Sequence, residues 1–138
     1  MKPTEVRIGN LVEYDNNVFP IHSIGDVFPT LDTIEFGIGV VDWNNIKPIS
    51  LTEEWLLRFG SYTWNGFLCL DAFSPGHPSQ RFNLYWSEKD GFNCKSRYQG
   101  EAELGYKMRQ IKHVHQLQNL YFALTGEELK LNETNIEK

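Results

Sequence analysis

Residues 111–129 read Ile-Lys-His-Val-His-Gln-Leu-Gln-Asn-Leu-Tyr-Phe-Ala-Leu-Thr-Gly-Glu-Glu-Leu, an apolar stripe that runs into a sharp stop. The i, i+3, i+4, i+7 spacing that marks one face of an α-helix is met by Val114, Leu117, Leu120, Tyr121 and Leu124. The stop has two interpretations: Gly126 ends the helix as its left-handed residue, or Thr125 caps a further turn, and both can hold at once. The stretch therefore predicts a C-terminal helix with one apolar face.

Short β-rich runs occupy the first fifty residues. Residues 7–14 lead through the turn-forming triplet at 15–17 into residues 18–24, and two more β-rich runs follow at 33–38 and 40–43. The opening Ile8-Gly9-Asn10-Leu11-Val12 resembles the start of many SH3-like small barrels. We therefore expect an SH3-like β lobe over residues 1–49, a fold that by itself selects no function.

A short helix is predicted next, because Thr52 can serve as its N-cap and Leu51 can pack on Leu56 as a hydrophobic staple. Gly60 is a stop signal. Strand signals return at residue 62, with Asn65-Gly66 as the turn of one hairpin and residues 81–86 and 92–98 as the arms of another. A further strand is predicted within 106–112.

These elements predict an α+β protein. An N-terminal SH3-like β-barrel lobe (1–49) precedes a second part (50–129), in which a short linker helix leads to an antiparallel sheet covered by the C-terminal helix. We expect the two parts to form one compact unit. Residues 130–138 are polar, and we expect a disordered tail there.

The charge of the chain disfavours a protein devoted to broad phosphate binding, because the net charge is −5. The excess is uneven: residues 1–60 hold four basic and nine acidic residues, whereas residues 61–138 hold nine of each. The sequence has no apolar run long enough for a membrane helix and no signal-peptide core behind Met1, so we expect a cytoplasmic protein with no membrane partner.

Catalytic and metal-binding patterns are weak. Ser74, Ser79 or Cys94 could act as a nucleophile with His77 as base, but the sequence lacks a nucleophile elbow. His113 and His115 would point about 200° apart on a helix, whereas at a strand end both would face the same side. Cys69 and Cys94 are too few for a disulfide framework. We therefore predict a protein that is not an enzyme and has no cofactor and no metal.

The segment 81–112 interleaves aromatic residues with seven cations and four acids, which gives it a net charge of +3. Aromatic faces flanked by cations can stack bases and hold phosphates. The candidate nucleic-acid surface comprises Arg81, Lys95, Arg97, Tyr98 and Arg109. The alternative is an ordinary half-buried sheet, whose strands place rings inside and charges outside.

The C-terminal helix offers a second candidate surface. Phe122 falls off the centre of the apolar stripe and Gln118 lies on its flank, so the two could meet another chain. Self-association or a protein partner would then cover them. The alternative is burial within the chain.

Three blocks of the sequence, taken together, resemble a family of small uncharacterised proteins of gut bacteria and of their phages and mobile elements. They are Arg7-Ile8-Gly9-Asn10, Leu-Thr-Glu-Glu-Trp-Leu-Leu-Arg-Phe-Gly at 51–60, and the run from Val114 to Leu129. The resemblance implies a mobile-element setting and brings no activity or site. The prediction is a non-enzymatic accessory module that acts through protein contacts, with a nucleic-acid-binding protein as the runner-up and an enzyme with an unfamiliar site third.

Overall fold

The computed structural model describes residues 1–25, 29–33, 37–64, 66–73, 80–87, 91–98, 104–108 and 111–132. Antiparallel sheets and helices confirm the α+β class. The chain divides into two compact units, the first made of Met1–Ser50 and His113–Asn119 and the second of Leu51–Lys112 and Leu120–Lys138. The sequence assigned the whole C-terminal helix to the second part, but the beginning of that helix belongs to the first unit.

The first unit contains a four-stranded antiparallel meander of β1 (Leu11–Tyr14), β2 (Asn17–Ser23), β3 (Thr30–Thr33) and β4 (Gly37–Val40), in that order. Asp15 and Asn16 connect β1 to β2 with φ angles of 51° and 62°, the left-handed values that a two-residue hairpin turn needs. Asn and Asp tolerate such values better than most residues. The predicted first hairpin is therefore present.

After β4 the chain turns earlier than the sequence suggested. The predicted strand ran through Trp43, but Trp43–Asn45 is a 3-10 turn because the Asp42 carboxylate accepts a hydrogen bond from the Asn44 N–H at 2.8 Å. Trp43 is buried, and its indole N–H donates to the Gly25 carbonyl at 3.1 Å. The core beneath the sheet comprises Val6, Val12, Ile21, Leu31, Trp43 and Ile46.

The predicted SH3-like barrel is not confirmed. The described strands form an open sheet, in which β1 and β4 are the two edges. Lys47, which follows the 3-10 turn, pairs with the edge strand β1. Glu13 and Lys47 exchange two backbone hydrogen bonds of 2.9 Å.

A tight turn at Arg7–Leu11 sets the entry to β1. Asn10 is fully buried, and its side-chain carbonyl accepts a hydrogen bond from the Arg7 backbone N–H at 2.7 Å. The backbone of Asn10 accepts from the Ile21 N–H, and the Gly9 N–H donates to the Ile21 carbonyl. Gly9 has a φ of 94°, a value that favours glycine.

Helix α2 (Val114–Thr125) supplies the remaining partners of this turn from its first half. The Asn119 side-chain oxygen accepts hydrogen bonds from Asn10 Nδ2 and from Arg7 Nε, each at 2.9 Å. The Gln118 side-chain oxygen accepts from the Leu11 N–H at 2.9 Å, and its Nε2 donates to the Gly9 carbonyl at 3.4 Å. We call this set of hydrogen bonds among residues 7–11, 118 and 119 the amide clasp.

The second unit begins with α1 (Glu53–Arg58), which has the predicted ends. The Thr52 hydroxyl accepts a hydrogen bond from the Trp55 N–H. Gly60, at φ 92°, follows the last turn, with the Gly60 N–H donating to Leu57 and the Ser61 N–H to Leu56. This reciprocal pair is a Schellman motif, so the glycine ends the helix as its spacing predicted.

Five antiparallel strands follow in sequence order: β5 (Tyr62–Trp64), β6 (Phe67–Phe73), β7 (Gln80–Ser87), β8 (Gly91–Tyr98) and β9 (Leu104–Met108). Both predicted hairpins are present, and Gly66 in the first has a φ of 82°. The last strand starts earlier than predicted, at Leu104, and residues 109–110 lie outside the described part. None of the described helices is long and apolar enough to cross a membrane.

The end of α2 follows the first interpretation of its stop signals. Gly126 has a φ of 75°, and its N–H donates to the Phe122 carbonyl at 2.8 Å. The Thr125 hydroxyl donates to the Tyr121 carbonyl and accepts from the Glu127 N–H, but no further helix follows in residues 126–132. Of the predicted tail, residues 130–132 are described, and the Asn132 N–H donates to the Arg58 carbonyl at 2.6 Å. Residues 133–138 lie outside the described part.

The amide clasp predicts a stability effect. Asn10→Ala removes the partner of the Arg7 N–H and one of the two donors to the Asn119 side-chain oxygen, so we expect the free energy of unfolding to fall by about 1–3 kcal/mol. Asn45→Ala, at an exposed position of the same unit, is the matched control and should change it by less than about 0.5 kcal/mol. Urea unfolding of the two variants measures the difference, and equal losses would show that the buried amide has no special role.

Candidate functional site

The register of the second-unit sheet sorts its residues into two faces. Directly opposed residues in antiparallel strands share a face, and residues two apart along a strand do so as well. No register shift interrupts the ladders from β5 to β9. The face of every residue on these strands can therefore be read from the ladders.

One face is apolar. Leu68, Leu70 and Leu84 lie on it and are 7%, 7% and 0% exposed. A cavity of about 610 Å³ on this side is lined by Phe59, Leu70, Tyr121, Glu127, Glu128, Leu129 and Lys130. Burial and then the nearby Glu127 carboxylate raise the pKa of Tyr121. This side accommodates α1 and the second half of α2, as expected for a sheet covered by helices.

The opposite face holds every charged residue of the five strands. They are Asp71, Arg81, Lys95, Arg97 and Lys107. Arg81 stands directly opposite Arg97, and Lys95 lies two residues from Arg97. We call the four basic positions, Arg81, Lys95, Arg97 and Lys107, the cationic face.

Two like charges placed directly across a ladder destabilise a sheet unless something compensates for them. Arg81 and Arg97 form such a cross-strand position.

Aromatic residues lie on the same face at the other end of the sheet. Tyr62 on the edge strand β5 opposes Cys69, which in turn opposes Tyr85. Tyr85 is buried and meets Phe67 edge-on, with ring centroids 6.3 Å apart at 77°. Tyr62, in contrast, is 46% exposed.

The Tyr62 hydroxyl donates to the Asp71 carboxylate, 3.0 Å from one oxygen and 3.1 Å from the other. Partial burial, this hydrogen bond and the Asp71 charge raise the pKa of Tyr62 to about 12. The phenol is therefore neutral at physiological pH. Burial and then Asp71 also raise the pKa of the Cys69 thiol, which is 1% exposed and not in a disulfide.

The register places three of the five residues predicted for a nucleic-acid surface on one face of the sheet. Arg81, Lys95 and Arg97 share one face, whereas Tyr98 opposes Gln80 and falls on the apolar face. Arg109 lies outside the described residues. Cys94, opposite Leu84, is also on the apolar face, so Cys69 and Cys94 are on opposite sides of the sheet.

Lys107 belongs to the predicted basic segment 81–112 but was not among the five residues singled out, and Tyr62 lies outside that segment. Lys107 opposes Asn93 across β8 and β9, and Tyr62 enters through β5 on the far edge. Lys95 and Arg97 are two residues apart on β8, so alternation along one strand already predicts that they share a face. Tyr62 and Lys107 share that face only through the pairing of neighbouring strands, and this pairing depends on turn lengths that the sequence does not determine.

The two residues predicted for a protein-binding surface have different environments. Phe122 is 40% exposed. Gln118 is 5% exposed, and its side chain is part of the amide clasp. Its polar groups are therefore used inside the first unit.

The two neighbouring histidines are closer than helical geometry suggested. His113 precedes α2 and forms a β-bridge with Ser50, so the 200° separation does not apply. The rings of His113 and His115 stack at 5.8 Å with 16° between their planes. They lie beside a cleft of about 400 Å³ lined by Met1, Glu5, Pro48, His113, His115 and Gln116.

His115 is 5% exposed, and its Nδ1 has no hydrogen-bond partner. Burial and then the neighbouring His113 lower the pKa of His115, while the Glu5 carboxylate acts in the opposite direction. Within the described ranges, no three His, Cys, Asp or Glu side chains come together in a way that could hold a metal ion. The candidate nucleophiles Ser74 and Ser79 and the candidate base His77 lie outside the described residues.

Comparisons with protein-family models, with curated proteins and with solved structures gave no match for this chain.

The environment of His115 predicts a pH dependence. Its folded-state pKa is below the unfolded value of about 6.5, so the unfolded chain takes up the proton first. The folded protein favours the neutral imidazole of His115. The stability gained from this preference is complete above about pH 6.5 and is lost as the pH falls through the folded-state pKa. Urea unfolding between about pH 8 and pH 5 should show a decline that His115→Gln makes shallower.

The matched control is His22→Gln, because His22 is exposed in the same unit. His115→Gln should change the slope of unfolding free energy against pH by more than this control does. The reverse pattern, with His115→Gln retaining the wild-type slope, would contradict the role given to the buried imidazole.

Proposed function

We propose that this protein is a non-enzymatic accessory module that binds nucleic acid, in the phage or mobile-element setting that its sequence resemblance implies. The observation that carries the proposal is the sheet register of the second unit, which collects four cations and one acid on one face. The apolar face of the same sheet is used for packing. The charged positions share the other face, on which Tyr62 is exposed while Cys69 and Tyr85 are buried.

The sign of the charge supports an anionic ligand. The whole chain carries a net charge of −5, whereas the strand residues of this face, four basic and one acidic, sum to +3. A basic patch on an acidic protein concentrates phosphate locally while the rest of the surface repels it. Ordinary alternation explains why the charges share a face, but it does not explain why four of the five are positive.

The spread of the cations favours a polyanion over a small anion. Arg81 is on β7, Lys95 and Arg97 are on β8, and Lys107 is on β9. Three neighbouring strands span about 10 Å at the usual strand spacing. A phosphate backbone can meet positions at this separation with successive groups, whereas a single phosphate cannot.

A protein-interaction module is the second candidate, and it was the first choice from the sequence. Leu57 and Phe122 in the second unit are 49% and 40% exposed. Exposed apolar residues of this size are common singly on protein surfaces. Four cations on one face are a more specific feature than single exposed apolar residues. We therefore favour nucleic acid over a protein as the binding partner.

An SH3-like arrangement of the first unit remains part of the proposal. The hydrogen bonds between Glu13 and Lys47 support it, because they add backbone partners to the free edge of β1, where the last strand of a small barrel would lie. Such barrels serve several functions, so this part of the proposal does not affect the choice of ligand.

The proposal predicts salt-dependent binding of a fluorescent oligonucleotide. Affinity measured by anisotropy should fall steeply between about 50 and 200 mM salt, because each neutralised phosphate releases a counterion. Lys95→Ala should weaken binding at low salt and reduce the slope of log affinity against log salt by about 0.7–0.9. Lys47→Ala removes the same charge from an exposed position in the first unit and is the matched control.

Equal effects of the two lysine substitutions would show that only overall charge matters. Absence of binding at the lowest salt would refute the nucleic-acid proposal and leave the protein partner as the candidate.

A further inference from the structure

We propose that the cavity of about 610 Å³ in the second unit binds a small organic cation with an apolar body, such as an aromatic amine. The cavity includes Leu70 in its lining and therefore lies on the apolar side of the sheet, opposite the charged positions. A ligand at this site would be separate from the proposed nucleic acid and would be recognised by different residues.

The size and the buried lining of the cavity fit a small molecule. Small-molecule sites in proteins have volumes of roughly 300–1,000 Å³ and are lined mostly by apolar side chains, with a few polar groups among them. Here the buried part of the lining is apolar, because Phe59, Leu70 and Leu129 are 5%, 7% and 8% exposed. A ligand with an apolar body gains free energy when it leaves water for such a surface.

The exposed part of the lining is acidic. It comprises Glu127, Glu128 and Lys130, and two carboxylates with one ammonium group sum to a charge of −1. A negative rim attracts a cation and repels an anion. A molecule with one positive charge next to an apolar body therefore complements both parts of the lining.

Two polar groups of the lining remain available to a ligand. Within the described part of the chain, neither the Tyr121 hydroxyl nor the Glu127 carboxylate forms a hydrogen bond with another side chain. Tyr121 is half-buried, and burial and then the Glu127 charge raise the pKa of its phenol, which is neutral at physiological pH. An ammonium group has three donors and no acceptor, so it can donate to both oxygens and offset the carboxylate charge.

The segment that carries Glu127 is held in place without a ligand. At its start, the Glu127 N–H donates to the Thr125 hydroxyl at 3.0 Å. At its other end, the Asn132 N–H donates to the Arg58 carbonyl at 2.6 Å. Leu129 is buried between these two points. A site whose backbone is already fixed loses little conformational entropy on binding, which favours affinity for a small ligand.

The test uses three probes that share an aromatic ring and differ in charge: phenethylamine, 2-phenylethanol and phenylacetate. Each is titrated into the ¹⁵N-labelled full chain, and backbone amide shifts are followed by NMR. Phenethylamine should bind most tightly and phenylacetate most weakly. The resonances of Phe59, Leu70 and Leu129 should shift, because these residues line the cavity.

Glu127→Gln removes the carboxylate and keeps the shape of the side chain. It should weaken phenethylamine binding about two- to fivefold, the range expected for a solvent-exposed ion pair, and leave 2-phenylethanol unchanged. Glu53→Gln is the matched control, because Glu53 is an exposed acid of α1 in the same unit and does not line the cavity. Both positions are exposed, so both variants should fold, and thermal unfolding checks this.

Each outcome bears on one claim. If phenethylamine shifts none of the resonances of the lining, the proposed site is wrong. If the three probes bind equally well, the cavity takes apolar molecules and the preference for a cation is wrong. If Glu53→Gln weakens phenethylamine as much as Glu127→Gln does, the carboxylate of Glu127 has no special role. Oligonucleotide binding by Glu127→Gln should equal that of wild type, so failure of this proposal leaves the proposed function standing.

Discussion

The buried side chain of Asn10 is the constraint on which the first unit depends. An amide in a fully buried position costs several kcal/mol unless its polar groups are satisfied. Here the oxygen accepts from the Arg7 backbone and the Nδ2 donates to Asn119. The Arg7–Leu11 turn therefore needs the beginning of α2, although the two are more than a hundred residues apart in the chain. Once the turn is held, β1 leaves it in the register that pairs Leu11 with Pro20 and places Val12 in the core.

The amide clasp gives a structural role to polar residues in the most distinctive parts of the sequence. Arg7-Ile8-Gly9-Asn10 and the Gln118-Asn119 pair stand in two of the blocks on which the expected mobile-element family was based. Polar residues in such blocks are usually taken as candidates for ligand contact. In this protein they satisfy each other and the backbone of the turn. The surface proposed for binding lies elsewhere, on strands without a recognisable motif.

Local chemistry made part of the fold predictable. Thr52 and Gly60 bound α1, and Gly66 takes the left-handed φ of a predicted hairpin, because each of these residues acts on its immediate neighbours. Arg81, Lys95 and Arg97 were predicted as surface residues, and alternation along β7 and β8 agrees with their shared face. Nonlocal relations were not predictable. Gln118 was expected on a contact surface, because no residue near it in sequence indicates that its side-chain oxygen accepts a hydrogen bond from the Leu11 N–H. The stacking of His113 on His115 depends on the bridge from Ser50, and the addition of Tyr62 and Lys107 to the charged face depends on ladders that cross five strands.

The central claim is that the two blocks are joined to each other through Asn10 and Asn119. A double-mutant cycle tests it most directly: unfolding free energies are measured for wild type, Asn10→Ala, Asn119→Ala and the double variant. We predict a coupling energy of about 1–3 kcal/mol, because removing either amide already breaks the bond that the second substitution would break. Additive losses, with a coupling within about 0.3 kcal/mol of zero, would contradict the clasp.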